Sequence, residues 1–128
     1  MADDAATGNM ILFSGTTSSA RVLDDTWSWN GSNWTQLHPA NSPSGRSSSG
    51  MDFDSATGTI ILFGGYADNQ RNDTWAWTGF NWAKQSPATK PPVLSGQSTA
   101  FDSGTGALVV FGGVHVSSFV NSTWNYAL

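Results

Sequence analysis

Nine aspartates and two histidines are the side chains of this 128-residue chain that could carry a proton or hold a cation near neutral pH, because it has no glutamate and no cysteine. General acid–base work needs a base placed against a nucleophile, and no such spacing recurs: His38 and His115 stand singly at unrelated places. The run Asp52-Phe53-Asp54-Ser55-Ala56-Thr57-Gly58 opens like a calcium loop. It lacks the later acidic ligand and returns as a plain turn at Asp102-Ser103-Gly104-Thr105-Gly106, so it reads as a hairpin connection. Asp25 and Asp73, each just before Thr-Trp, are expected to accept hydrogen bonds from neighbouring backbone. No catalytic set, metal site or cofactor is therefore expected, and hydrolysis by loop aspartates has no motivating pattern.

Composition narrows the partners. Charged residues make up 11 % and the net charge is −4, with five scattered basic residues, so there is no cationic stripe for a phosphate backbone. Nucleic acid is not expected as a partner, and neither is a membrane, since no apolar run approaches the ~18 residues of a span. The opening Met1-Ala2-Asp3-Asp4 lacks the basic-then-apolar order of a secretion signal, which leaves a soluble chain of undetermined compartment. Seven Trp, seven Phe and 14 Gly among Ser, Thr and Asn make an all-β composition.

The elements that must position these residues come in three copies. Ile11-Leu12-Phe13-Ser14-Gly15, Ile61-Leu62-Phe63-Gly64-Gly65 and Val109-Val110-Phe111-Gly112-Gly113 are each followed by Thr-Trp, at 26–27, 74–75 and 123–124. A period near 50 residues marks stacked or radially arranged units. In the middle copy, Ser47 to Phe53 reads as a strand, Asp54 to Gly58 as a turn and Thr59 to Phe63 as a strand buried on both faces. Asp73 to Trp77 alternates with period two, Thr78 to Asn81 is a hairpin loop, and Trp82 to Gln85 opens a fourth strand. Three prolines between Ser86 and Pro92 then break the pairing. Each unit is thus a four-stranded antiparallel meander, apolar on both faces, that needs neighbours to cover it. Such sheets stacked around an axis form a β-propeller. The expected division is one domain, 1–128, with blades at about 1–40, 41–89 and 90–128.

The middle copy, Phe63-Gly64-Gly65, Asn72-Asp73-Thr74-Trp75-Ala76-Trp77 and Asn81-Trp82, resembles the bacterial form of the kelch repeat. The first copy has Ser14 for a glycine, and the third has Asn121-Ser122-Thr123-Trp124 with Tyr126 in place of the second Trp. Arg46 matches the family's arginine of the innermost strand, and Leu94 replaces it in the next copy. The resemblance implies a propeller, usually of six or seven blades, in a family that supports protein binding, sugar oxidation and other roles. The copper site of the kelch-like sugar oxidases uses a cysteine-modified tyrosine, which this chain cannot make.

Counted from the sequence, the strands number three, four and three. On this count the first copy begins at its second strand and the last stops at its third, so one outer strand and the following inner strand are expected to be wanting. A three-blade arc would leave an aromatic face bare at each end, which is uncommon on monomers. The expectation is a homo-oligomer, in the simplest case a dimer whose two arcs close a six-bladed ring, and the rival reading is a fragment of a longer chain. Trp27, Trp29, Trp75, Trp77 and Trp124, with Phe63 and Phe111, recur at strand positions and are assigned to packing between blades. Residues that break the repeat are the candidate ligand contacts: Arg21, Tyr66, Asp68, Arg71, His115 and Phe119 in the loops between second and third strands, with His38 and Arg46 in the connections between copies. The reading is a non-enzymatic scaffold that binds itself and another protein. The alternative is a lectin-like glycan binder using the same loops, with Tyr66 and Phe119 as stacking platforms.

Overall fold

The computed structural model describes residues 1–128 and contains thirteen strands and no helix. The first sheet is built in sequence order from β1 (Ala2–Asp4), β2 (Asn9–Thr16), β3 (Val22–Trp29) and β4 (Trp34–Leu37). The second repeats the arrangement with β5 (Gly50–Asp54), β6 (Thr59–Phe63), β7 (Thr74–Trp77) and β8 (Trp82–Gln85). The third has β9 (Ser98–Asp102), β10 (Ala107–Phe111) and β13 (Thr123–Ala127), and the loop before β13 carries a small hairpin of β11 (Val114–His115) and β12 (Ser118–Phe119). All pairings within the sheets are antiparallel.

The count of three, four and three is therefore corrected to four, four and three, plus the hairpin. Three residues suffice for β1 because Asp4 fixes the turn that follows. Its carbonyl accepts from the amides of Thr7 (3.0 Å) and Gly8 (2.8 Å), and its carboxylate accepts from Ala6 N (3.1 Å). The second copy repeats this: the Asp54 carboxylate accepts from Ala56 N (2.8 Å) and from Thr57 Oγ1 (2.7 Å), while Gly58 N donates to the Asp54 carbonyl (2.8 Å). Asp102 does the same for Gly104 N (2.9 Å) and Thr105 Oγ1 (2.7 Å). These are side-chain-capped hairpin turns, as the sequence implies for 54–58 and 102–106.

The sheets stack face to face, with a core in each gap. Between the first and second lie Ile11 and Phe13 on one side and Ile60, Leu62, Trp77 and Trp82 on the other. Between the second and third lie Ile61, Phe63 and Ala76 against Leu108, Val110 and Tyr126. The middle strand β6 thus sends alternate side chains into two different cores, which is why its sequence shows an unbroken apolar run. The first strands come together along one side, β5 between β1 and β9. A Cβ on Gly50 would run into the Thr99 side chain, and Phe101 N donates to Asp52 Oδ2 across the same gap (2.5 Å).

The paired glycines make the stacking close. Gly65 has φ +105° and its amide donates to the Leu94 carbonyl (2.9 Å), while Ser47 and Tyr66 exchange two backbone hydrogen bonds of 2.8 Å. A Cβ at Gly65 would lie 2.8 Å from the Ser47 carbonyl oxygen, closer than real contacts allow. In the first copy Ser14 stands in the place of Gly64 (φ +67°), takes the same left-handed conformation (φ +61°) and accepts from Arg46 N (2.7 Å), a bond to the connection leading into the second copy that offsets the strain. Gly79, in the hairpin between β7 and β8, also has positive φ (+94°) but open space around it. Urea unfolding at fixed protein concentration is expected to show a loss of about 1 kcal/mol for Gly79→Ala, from backbone strain alone. Gly65→Ala is expected to lose roughly 2 kcal/mol more, from strain plus collision. Equal losses would contradict the close-approach account.

Candidate functional site

Arg46 does not face a ligand. It is 1 % exposed, and its guanidinium holds both carboxylate oxygens of Asp73, Nη1 to Oδ1 at 2.6 Å and Nη2 to Oδ2 at 3.0 Å. Nη1 also donates to the Gly64 carbonyl (3.1 Å) and Nε to that of Ser44 (3.0 Å). Trp75 Nε1 donates to Asp73 Oδ2 (2.8 Å). The expectation that Asp25 and Asp73 accept from neighbouring backbone gives way to side-chain donors at both, with Asp73 keeping a bond from its own backbone amide. Each serves the indole two residues on, Asp25 Oδ2 accepting from Trp27 Nε1 at 2.6 Å. The Asp-Thr-Trp spacing puts donor and acceptor on the same side of a strand, so the signal was present in the sequence.

Burial by itself raises the Asp73 pKa; hydrogen bonds from Arg46 and Trp75, with the guanidinium charge, outweigh it and hold the carboxyl below its ordinary 3.8. The third copy dispenses with the pair at both ends, Leu94 standing where Arg46 does and Ser122 where Asp73 does. Removing one partner alone would strand the other, whereas removing both leaves nothing unpaired.

The contacts between sheets follow one recipe. At the first junction, the Trp82 ring meets Phe13 edge-on, centroids 5.2 Å apart, and Trp82 Nε1 donates to Thr26 Oγ1 (3.0 Å). At the second, Tyr126 meets Phe63 edge-on at 5.9 Å, and its hydroxyl shares a hydrogen bond with Thr74 Oγ1 (3.1 Å). Burial pushes the Tyr126 pKa up to about 12, so the phenol stays neutral at this contact. Trp27, Trp29 and Trp75 are half-buried and Trp77 is buried, as is Trp82. Phe63 is fully buried, but Phe111 is 52 % exposed and Trp124 37 %. Phe111 has no sheet opposite it, and Trp124 has no fourth strand beside β13.

The remaining loop residues do not converge. Asp68 and Arg71 pair with each other at 3.2 Å on the surface, a contact of small energetic weight. His115 Nδ1 is 2.9 Å from the Val93 carbonyl and belongs to the packing of its hairpin. Tyr66 and Phe119 are exposed, Phe119 at the hairpin between β11 and β12. Arg21 and His38 are exposed on the first copy, His38 in a shallow polar cleft with Asp24 and Asp25. No group of three or more His or Asp side chains is arranged to hold a metal ion. No helix is long and apolar enough to cross a membrane. Gln70 was missed by sequence reasoning, since nothing in the repeat marks it. Its Nε2 donates to the Val114 carbonyl (2.9 Å) and Ser95 Oγ (3.2 Å), and its Oε1 accepts from Val116 N (2.5 Å), tying the second copy's loop to the third copy's hairpin.

No protein-family model and no curated protein sequence matches the chain. Among solved structures it is similar to the one titled "Structure of YjhT", at 15 % sequence identity and a TM-score of 0.68. The alignment covers 94 % of this chain and 40 % of that one, so the chain spans less than half the length of that neighbour. At this identity the likeness concerns the fold.

The ion pair yields a test by transplantation. Arg46→Leu leaves the Asp73 carboxylate without its counterion and is expected to cost about 3 kcal/mol in urea unfolding at pH 7. Arg46→Leu with Asp73→Ser, the third copy's combination, is expected to regain more than half of that. A carboxyl whose pKa falls on folding gives stability that is complete above its unfolded value and lost as pH drops through the lower folded one. The advantage of the native pair over the double variant should therefore shrink below about pH 3.8. Equal losses for single and double variants would contradict the pairing account.

Proposed function

We propose that the chain is a non-enzymatic scaffold: a three-blade arc of a kelch-like propeller that assembles with a second copy into a six-bladed ring and presents its loops to a protein partner. The observation that carries this reading is the stack itself. Three repeat-equivalent sheets lie face to face with their first strands together, and the outer face of the first and third sheets has no cover. The likeness to a chain more than twice as long supports it, because a ring needs more sheets than three. The loop residues form surface pairs and packing contacts rather than an acid–base set, which favours binding over turnover. A second reading, glycan binding on the loop side, draws on the exposure of Tyr66 and Phe119. Glycan-array binding abolished by Tyr66→Ala or Phe119→Ala, with the fold intact, would favour it.

Light scattering coupled to size exclusion tests the assembly. A mass of about twice the 13.6 kDa of one chain is expected at micromolar concentration. A single-chain mass throughout that range would overturn the ring.

A further inference from the structure

Each bare flank is a repeat-equivalent copy of one half of a junction already made inside the chain. Sheets one and two use Phe13 with Thr26, and Phe63 with Thr74, to receive an aromatic side chain from the next sheet. The third sheet carries the same pair, Phe111 and Thr123, and receives nothing: both are exposed, whereas Thr26 and Thr74 are each 1 % exposed. Val109 stands with them, half-buried where Ile11 and Ile61 are buried.

The first sheet holds the other half. Trp29 and Trp34 occupy the places of Trp77 and Trp82, as the pairing of β3 with β4 and of β7 with β8 shows. The two tryptophan pairs are alike in geometry, 5.3 Å between centroids at 41° for Trp29 and Trp34, 5.4 Å at 53° for Trp77 and Trp82. Yet Trp82 is 1 % exposed on its Phe13 and Thr26 seat while Trp34 is 45 % exposed. Met10 and Leu12, half-buried, stand where Ile60 and Leu62 are buried. The pocket maker is bare at one end of the chain and the pocket filler at the other.

We infer that the occupant of each flank is a second copy of this chain, docked head to tail, with Trp34 of one copy seated on Phe111 of the other and its indole N–H donating to the Thr123 hydroxyl. This rests on the assembly proposed above and specifies it: sheet three meets sheet one, never its own counterpart. Val109, Phe111, Thr123, Met10, Leu12, Trp29 and Trp34 are all uncharged, and Asp3, opposite Met10 where Phe53 stands opposite Ile60 in the second sheet, is a carboxylate that the strand pairing puts on the filling face, at its edge strand. Asn125, where Ala76 stands in the second sheet, adds one neutral polar group to the receiving face.

Single substitutions on the two flanks, combined by mixing, test the pairing. Phe111→Asp or Trp34→Asp, at partly exposed positions where the fold should survive, is expected to give the single-chain mass. An equimolar mixture of the two should recover a two-chain species, because the unaltered Trp34 of one variant meets the unaltered Phe111 of the other. Thr123→Val, which keeps the shape and removes only the hydroxyl, is expected to weaken self-association about five- to tenfold at each of the two junctions, roughly 25- to 100-fold for the closed dimer. If the unaltered protein is a single chain, the assembly itself fails. If it assembles but either aspartate variant assembles equally well, or the mixture stays monomeric, or Thr123→Val changes nothing, the head-to-tail pairing is overturned while assembly stands.

Discussion

An aromatic ring laid edge-on against phenylalanine, with its polar tip on a threonine hydroxyl, is the contact on which this structure depends. It occurs at both sheet junctions, through Trp82 on Phe13 and Thr26 and through Tyr126 on Phe63 and Thr74. The two parts of the contact do different work. Burying an aromatic side chain of 150–250 Å² contributes roughly 4–6 kcal/mol as an upper bound, whereas the hydrogen bond adds about 1 kcal/mol net. Burial therefore supplies the adhesion. The hydrogen bond fixes which strand lies over which, since a buried indole or phenol without an acceptor would lose the desolvation energy of its polar atom.

Variation among the three copies shows which parts of the repeat are separable. The Phe and Thr of the receiving face are kept in all three, while the donating ring changes from tryptophan to tyrosine and moves from the fourth strand to the third. The Arg46 and Asp73 pair, by contrast, is complete in the second copy and replaced at both ends by Leu94 and Ser122 in the third. An ion pair that can be exchanged for a leucine and a serine is local reinforcement. The aromatic seat is what every sheet retains.

Much of this was legible in the residues. The strand Thr59–Phe63, the hairpins after Asp54 and Asp102, and Trp82–Gln85 follow from apolar runs, period-two alternation and turn chemistry, all of which are local signals. The short strand Ala2–Asp4 was not, because three residues carry no periodicity and only the turn bonds of Asp4 reveal it. Arg46 was read as a loop residue open to ligands, since a lone arginine beside glycine and serine gives no sign that a carboxylate 27 positions later will enclose it. Gln70 bridges two copies through a geometry that no repeat encodes. Side-chain partners across sheets are tertiary facts, and a single sequence shows the strands more clearly than it shows what they meet.

A double-mutant cycle on the junction inside the chain tests the central contact most directly. Thr26→Val removes the acceptor of the 3.0 Å bond with little change of shape, and Trp82→Phe removes the donor together with one ring whose packing cost is common to the single and the double variant. Unfolding of both singles and the double at fixed protein concentration gives their coupling. The account predicts a coupling of about 1 kcal/mol, the double variant losing less than the two singles summed. Strict additivity would contradict it, because the indole and the hydroxyl would then be neighbours without being partners.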